Sequence, residues 1–273
     1  MNSRLVNVIN DPTKSTRLTL KHWDILIQQA RVTSLLPTLY LLIKEKDILG
    51  NIPERPKAHL VSVWVLHNNQ VQALKYELKW LKQAIDKAGT RLLLLKGAAY
   101  LTGNLPASSG RLIGDIDLLV PLEKITEVEN TFAEFGWKPG KKSAYDDRYY
   151  RQWMHEIPPL GHVNRGSVLD VHHTILPPTA KPKTDPKKLF EAAQEIKPGS
   201  WVLSPPDMII HTAAHLFHEG EFDHGLRDLL DLDRLLRYFG ENVDNFWGSL
   251  IQRAAELDLR RPLYYALRYV RHI

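Results

Sequence analysis

The sequence predicts an α+β protein in which a compact sheet is carried between two helical regions. Three observations lead there. Up to about residue 89 the apolar residues recur at three- and four-residue intervals, the period of amphipathic helices. Between Arg91 and Ile175 the pattern changes to short apolar runs of strand length. Beyond Pro206 the helical spacing returns and holds to the end. Helices on both sides of a small sheet are one of the few ways to cover its apolar faces.

The elements follow in order. Leu18 to Lys46 reads as two or more helices, and after the polar Pro53 to Pro56 break a long helix runs from about His59 to Ala88. Its stripe is Val63, Leu66, Val71, Leu74, Leu78, Leu81 and Ile85, with Gly89 as the stop. Arg91 to Leu95 and Ile113 to Pro121 read as buried strands, joined through a short helix at Gly97 to Gly103 and a loop at Pro106 to Gly110. Glu123 to Phe135 is helical in spacing, Arg148 to Ile157 and Ser167 to Ile175 have strand character, and Pro177 to Pro186 is a Pro/Lys-rich connector. Helices are expected at Pro206 to Glu219, Gly225 to Phe239, Asp244 to Leu257 and from Pro262 onward. The regions are then 1–89 (helical), 90–180 (core) and 181–273 (helical). In the last helix the stripe Leu263, Tyr264, Leu267 and Val270 would be explained by a truncated C-terminal segment or by a partner or oligomer contact.

Composition narrows the function classes. With 273 residues, 44% hydrophobic and 25% charged, the chain can bury a sizeable core, which excludes collagen-like and disordered readings. The 36 basic and 31 acidic residues leave +5, a mild bias and not a nucleic-acid signature. The absence of cysteine excludes disulfides, thiol catalysis and cysteine zinc sites. With no secretory signal in the first eleven residues, it favours a cytoplasmic setting. Leu35 to Ile43 is the most apolar stretch, interrupted by Pro37 and Thr38 and far short of the roughly 20 residues that cross a bilayer.

The segment richest in chemistry is Leu92-Leu-Leu-Leu-Lys96-Gly97 followed by Arg111-Leu-Ile-Gly-Asp115-Ile-Asp117-Leu. On a strand, acids at i and i+2 leave the same face with their Cα atoms roughly 6 to 7 Å apart. Hard cations such as Mg²⁺ require oxygen ligands converging in this way. A pair of such ions roughly 3.5 to 4 Å apart serves an in-line displacement. Asp170, an isolated acid in the apolar run Ser167-Val-Leu-Asp170-Val-His172-His173, is the candidate third carboxylate. The competing reading is a turn or cap pair for Asp115 and Asp117 and a strand-end cap or salt bridge for Asp170. Burying such acids without a positive partner would be costly.

Lys96-Gly97, Arg111, Gly114-Asp115-Ile-Asp117-Leu and the later Asp170-Val-His172 together resemble the uncharacterised nucleotidyltransferase family of the DNA polymerase β-like superfamily. The resemblance implies a minimal nucleotidyltransferase mixed sheet between N-terminal and C-terminal helical regions. It implies that Asp115, Asp117 and Asp170 hold Mg²⁺ or Mn²⁺ and that an NTP is the substrate. Its best-known pattern opens the first helix with Gly-Ser or Gly-Gly, where this chain has Lys96-Gly97. Lys96, Gly97, Ser109 and Arg111 are the nucleotide-binding candidates, with salt-bridging roles as the alternative for Lys96 and Arg111. The expected reaction moves an NMP from an NTP to a hydroxyl-type acceptor with release of pyrophosphate. A small molecule, a protein side chain or an RNA end would each suit the core as acceptor.

Two rivals remain open. His211, His215 and His218 have helical spacing, and Glu219, Asp223, His224, Asp228, Asp231 and Asp233 follow, so a His/Asp metal phosphohydrolase centred on His211, His215, Asp228 and Asp231 is one. Structural hydrogen bonding is the plainer role for these histidines. A non-catalytic interaction module is the other rival. Of His172 and His173 only one shares the face of Asp170, and His172 is expected to turn away; His155 and His162 carry no specific signal. Lys138, Lys141, Lys142, Arg148 and Arg151, interleaved with Tyr145, Tyr149 and Tyr150, suit either RNA stacking or a solvated flap.

Overall fold

The computed structural model describes residues 3–140, 143–218 and 224–273. Helices α1 (Arg4–Asn10), α2 (Leu20–Val32) and α3 (Leu36–Glu45) gather Leu5, Trp23, Leu26, Leu39 and Ile43 into one apolar cluster. Thr19 caps α2 by accepting from the His22 N–H, and Pro37 occupies the first turn of α3, where its missing N–H costs nothing. Helix α4 (Glu54–Lys87) has 34 residues and is therefore about 51 Å long. Its early part contributes Leu60 to this cluster, and its later part contributes Leu74, Leu81, Ala84 and Ile85 to the main core against the sheet.

The chain then builds β1 (Leu92–Leu94), α5 (Lys96–Thr102), β2 (Ile116–Leu119), α6 (Ile125–Glu134), β3 (Trp137–Pro139), α7 (Ala144–Trp153), β4 (Leu160–His162) and β5 (Val168–His172). Next come α8 (Pro186–Ala192), β6 (Gln194–Lys197) and β7 (Ser200–Val202). Among the described residues the strands form one seven-stranded mixed sheet in the order β3-β4-β5-β2-β1-β7-β6. Only β2 with β5 and β1 with β7 run parallel; the remaining neighbours are antiparallel. Helices α9 (Pro205–His218), α10 (Gly225–Asn242), α11 (Phe246–Glu256) and α12 (Arg260–Val270) close the chain, with α10, α11 and α12 packed on α9. No helix among the described residues is long and apolar enough to cross a membrane.

Three expectations change. Residues 148–157 are not a strand: Ser143 and Asp146 form a capping box, and α7 runs to Trp153. The sheet does not stop within 90–180, because β6 and β7 extend it to Val202 beyond β1. The apolar stripe of the last helix is largely covered from within: Leu263 is buried and Leu267 and Val270 pack on the core, leaving Tyr264 exposed.

Candidate active site

Antiparallel pairing of β1 with β2 sets Leu94 opposite Leu118, and the Leu95 N–H donates to the Asp117 carbonyl at 3.0 Å. The next residue, Lys96, adopts a left-handed φ of 43°, which costs a non-glycine residue about 1 kcal/mol. Its ammonium lies 2.8 Å from Asp117 Oδ1. On the other side β5 runs parallel to β2 with Asp170 directly beside Asp117, so both carboxylates leave the same face of the sheet. Asp115 is exposed in the bend that leads into β2.

The remaining groups on this face come from the strand register. His172 is two residues after Asp170 and so shares its face, contrary to the expectation that it turns away. Its Nε2 lies 3.1 Å from Asp117 Oδ1. The chain leaving α7 returns along β5 and bridges Glu156 to His172, with Glu156 Oε2 3.5 Å from His172 Nδ1. Glu156 went unnoticed in the sequence because no motif holds it; an antiparallel bridge between distant segments does. The His155 ring stacks on that of His172 with centroids 5.1 Å apart.

The acids divide by environment. Burial alone would push Asp117 upward, but the Lys96 ammonium and the His172 ring outweigh it and hold its carboxyl well below the usual range. Asp170 is pushed up to about 7, first by burial and then by Asp117, Glu156 and Asp115. Its Oδ1 is buried and has no hydrogen-bond partner. An orphaned carboxylate oxygen amid three other acids is a place for positive charge, and an all-oxygen set of this kind suits a hard divalent cation. Asp117 and Asp170 offer the hard oxygen donors that Mg²⁺ or Mn²⁺ takes, but Asp115, Asp117 and Asp170 do not bring three ligand atoms within 4.8 Å of one another.

The helical regions fix the loop that precedes β2. Gly110 has a φ of +70°, and an added Cβ would lie 2.8 Å from the Thr38 backbone, so only glycine lets the loop press on α3. Thr38 Oγ1 donates to the Gly110 carbonyl at 3.1 Å, and His67 Nδ1 on α4 donates to that of Arg111 at 3.0 Å. Gln70 on α4 accepts from the Ile113 N–H at 3.2 Å, and Arg234 on α10 donates to the Ser109 carbonyl at 2.8 Å. The buried Arg111 guanidinium pairs with Asp231 and lies 3.6 Å from Asp228, over the Tyr100 ring. A Cβ on Gly97 would approach Arg111 Nε to 3.1 Å, so the small residue admits the arginine.

A cavity of about 360 Å³ opens over Asp115 and Asp117, lined also by Lys96, Gly97, Arg111, His215, Arg227 and Asp228. A second, of about 220 Å³, lies beyond Gly114 and Asp115 and is lined by Glu77, Arg165 and Ser167. Ser109 does not line the larger cavity; it is exposed, and its carbonyl is taken by Arg234. Arg111 reaches the cavity but is committed to two aspartates. His211 is buried in α9, whereas His215 lines the cavity and is pushed down to about 4, chiefly by burial and then by Lys96. Asp228 Oδ2 lies 4.0 Å from His215 Nδ1, while Arg227 and Arg111 pair with Asp228 and Asp231, and these residues do not form a metal-ligand group with the histidines among the described residues. In the basic run, Arg151 is clamped by Glu129 and Asp147, which removes its charge from an RNA surface. Lys141, Lys142, Glu219 and Asp223 lie outside the described residues.

A family model described as uncharacterised nucleotidyltransferase matches residues 19–273. No curated protein matches the chain. Among solved structures, an antigenic nucleotidyltransferase-like protein from Paracoccidioides brasiliensis is similar at 16% identity, covering 72% of this chain and 93% of that one, with a TM-score of 0.39.

Proposed function

Since the chain belongs to the uncharacterised nucleotidyltransferase family, we propose that it moves an NMP from an NTP to a hydroxyl-bearing acceptor, with Asp115, Asp117 and Asp170 as its metal ligands. The observation that carries the reading is the pairing of Asp117, which lines the larger cavity, with Asp170 on the adjacent parallel strand, the latter with an unsatisfied buried oxygen. Mg²⁺ or Mn²⁺ held there would supply charge to the triphosphate and acidify the acceptor hydroxyl. Lys96 lies beside Asp117, where its ammonium meets the phosphates of a nucleotide entering the larger cavity. The acceptor enters from the smaller cavity beyond Asp115. Its oxygen attacks the α-phosphorus, the bond to the β-phosphate oxygen breaks, and pyrophosphate leaves. The proton passes toward Asp170, the carboxylate beside Asp117 on the neighbouring strand. Arg111 acts as a brace for the loop, and Ser109, whose carbonyl is taken by Arg234, does not line the larger cavity.

The test is incubation of the chain with α-³²P-labelled NTPs, Mg²⁺ and a cell lysate as the source of acceptors. Transfer gives a labelled product and unlabelled pyrophosphate, both lost in Asp117→Asn. Unchanged NTP and metal binding in Asp117→Asn would defeat the assignment. Hydrolysis without an acceptor that is lost in His215→Ala would favour the phosphohydrolase instead.

A further inference from the structure

On the face shared with Asp170, His155, Glu156 and His172 bring one ligand atom each to within 4.8 Å of one another, the one such group of histidines and acids among the described residues. We propose that these three residues form a separate site for a borderline divalent cation such as Zn²⁺, beside the all-oxygen aspartate site. His172 Nε2 lies 3.1 Å from Asp117 Oδ1 and is engaged there. The other ring nitrogen, Nδ1, is buried, makes no hydrogen bond and lies 3.5 Å from Glu156 Oε2. A buried ring nitrogen without a hydrogen-bond partner, facing a carboxylate oxygen, is a place for positive charge.

The surroundings select a metal for that charge. A histidine that binds a metal through one ring nitrogen commonly donates its other N–H to a carboxylate, which is what His172 does to Asp117. Two imidazoles and one carboxylate are a zinc ligand set that leaves a fourth position open, and nitrogen donors disfavour Mg²⁺. His155 and His172 are 6% and 2% exposed, so solvent does not compete for them. In a tetrahedral site with bonds of about 2.0 to 2.1 Å the ligand atoms stand about 3.3 Å apart, so loading draws this group inward by up to about 1.5 Å. The proposal does not depend on nucleotidyl transfer, since none of the three residues is a metal ligand in that reading.

The experiment uses the full chain, stripped with a chelator and titrated with Co²⁺. One equivalent is expected to develop the intense visible absorption of a four- or five-coordinate ion with nitrogen ligands, and Zn²⁺ should displace it. The band should be lost in His155→Gln and in Glu156→Gln and kept in Asp115→Asn. Because buried substitutions can disturb folding, the wild-type cobalt form gives a second readout: two exchangeable imidazole N–H protons with large paramagnetic shifts. A weak octahedral spectrum, a band lost with Asp115→Asn but not with His155→Gln, or the absence of shifted imidazole protons would each overturn the proposal and leave His172 as a positioning residue for Asp117. Failure of the aspartate site would show separately, as lack of Mn²⁺ binding with the cobalt band intact.

Discussion

Asp170 concentrates the residue-scale argument. An isolated carboxyl with an ordinary value of 3.8 is raised to about 7 here, so the folded chain holds its proton more tightly than the unfolded chain does. The sign follows by linkage: the metal-free fold loses stability as pH rises from about 4 to about 7, and the loss is constant above that. Three pKa units at 1.36 kcal/mol each set a ceiling of about 4 kcal/mol. Asp170→Asn is therefore expected to stabilise the metal-free protein against urea at pH 8, with the gain shrinking toward pH 4. The same proton competes with the cation, so Mn²⁺ affinity of the wild type should fall by up to about tenfold per pH unit below 7, read by calorimetry. Asp115, Asp117 and Asp170 stood out in the sequence because acids inside apolar runs are costly without a purpose. His172 was expected to turn away, although the period-two rule that pairs Asp115 with Asp117 equally pairs Asp170 with His172.

At the scale of elements, the loop before β2 is held by α3, α4 and α10, and this explains how the flanking helices serve the site. Arg111 and Asp231 are 8% and 3% exposed, so removing one partner strands a buried charge. Asp231→Ala should cost about 3 to 5 kcal/mol in chemical denaturation, while Arg111→Met with Asp231→Leu should restore most of it. Gly110→Ala, which meets the Thr38 backbone, should lower stability and also weaken Mn²⁺ binding, because the loop carrying Asp115 must shift. Elements with long periodic stripes, such as α4 and α9 to α12, were legible. Helix α7 read as a strand because Tyr149, Tyr150 and Trp153 carry β-propensity, and its capping box decides otherwise. Strand β6 was illegible because three of its four residues are exposed, and Gln194 to Lys197 alternates no apolar face.

For the whole molecule the decisive feature is α4, whose single run of helix belongs to both apolar clusters. A shared helix couples the two, so denaturation followed by far-ultraviolet circular dichroism and by tryptophan fluorescence should give one coincident transition. Leu60→Ala and Leu81→Ala, each in a different cluster, should shift that same transition by about 2 to 5 kcal/mol. Two separated transitions would show the helical region and the sheet to be independent. The overall plan of helices around a sheet was legible from periodicity, whereas the two cavities flanking Asp115 were not, because they depend on how distant elements meet. The central claim is that three aspartates from two adjoining parts of the sheet hold the cation for a nucleotide. Calorimetric titration with Mn²⁺ and a non-hydrolysable NTP analogue tests it most directly. The account predicts Mn²⁺-dependent binding by the wild type that weakens at least about tenfold in Asp117→Asn and in Asp170→Asn; equal affinity in all three proteins would contradict it.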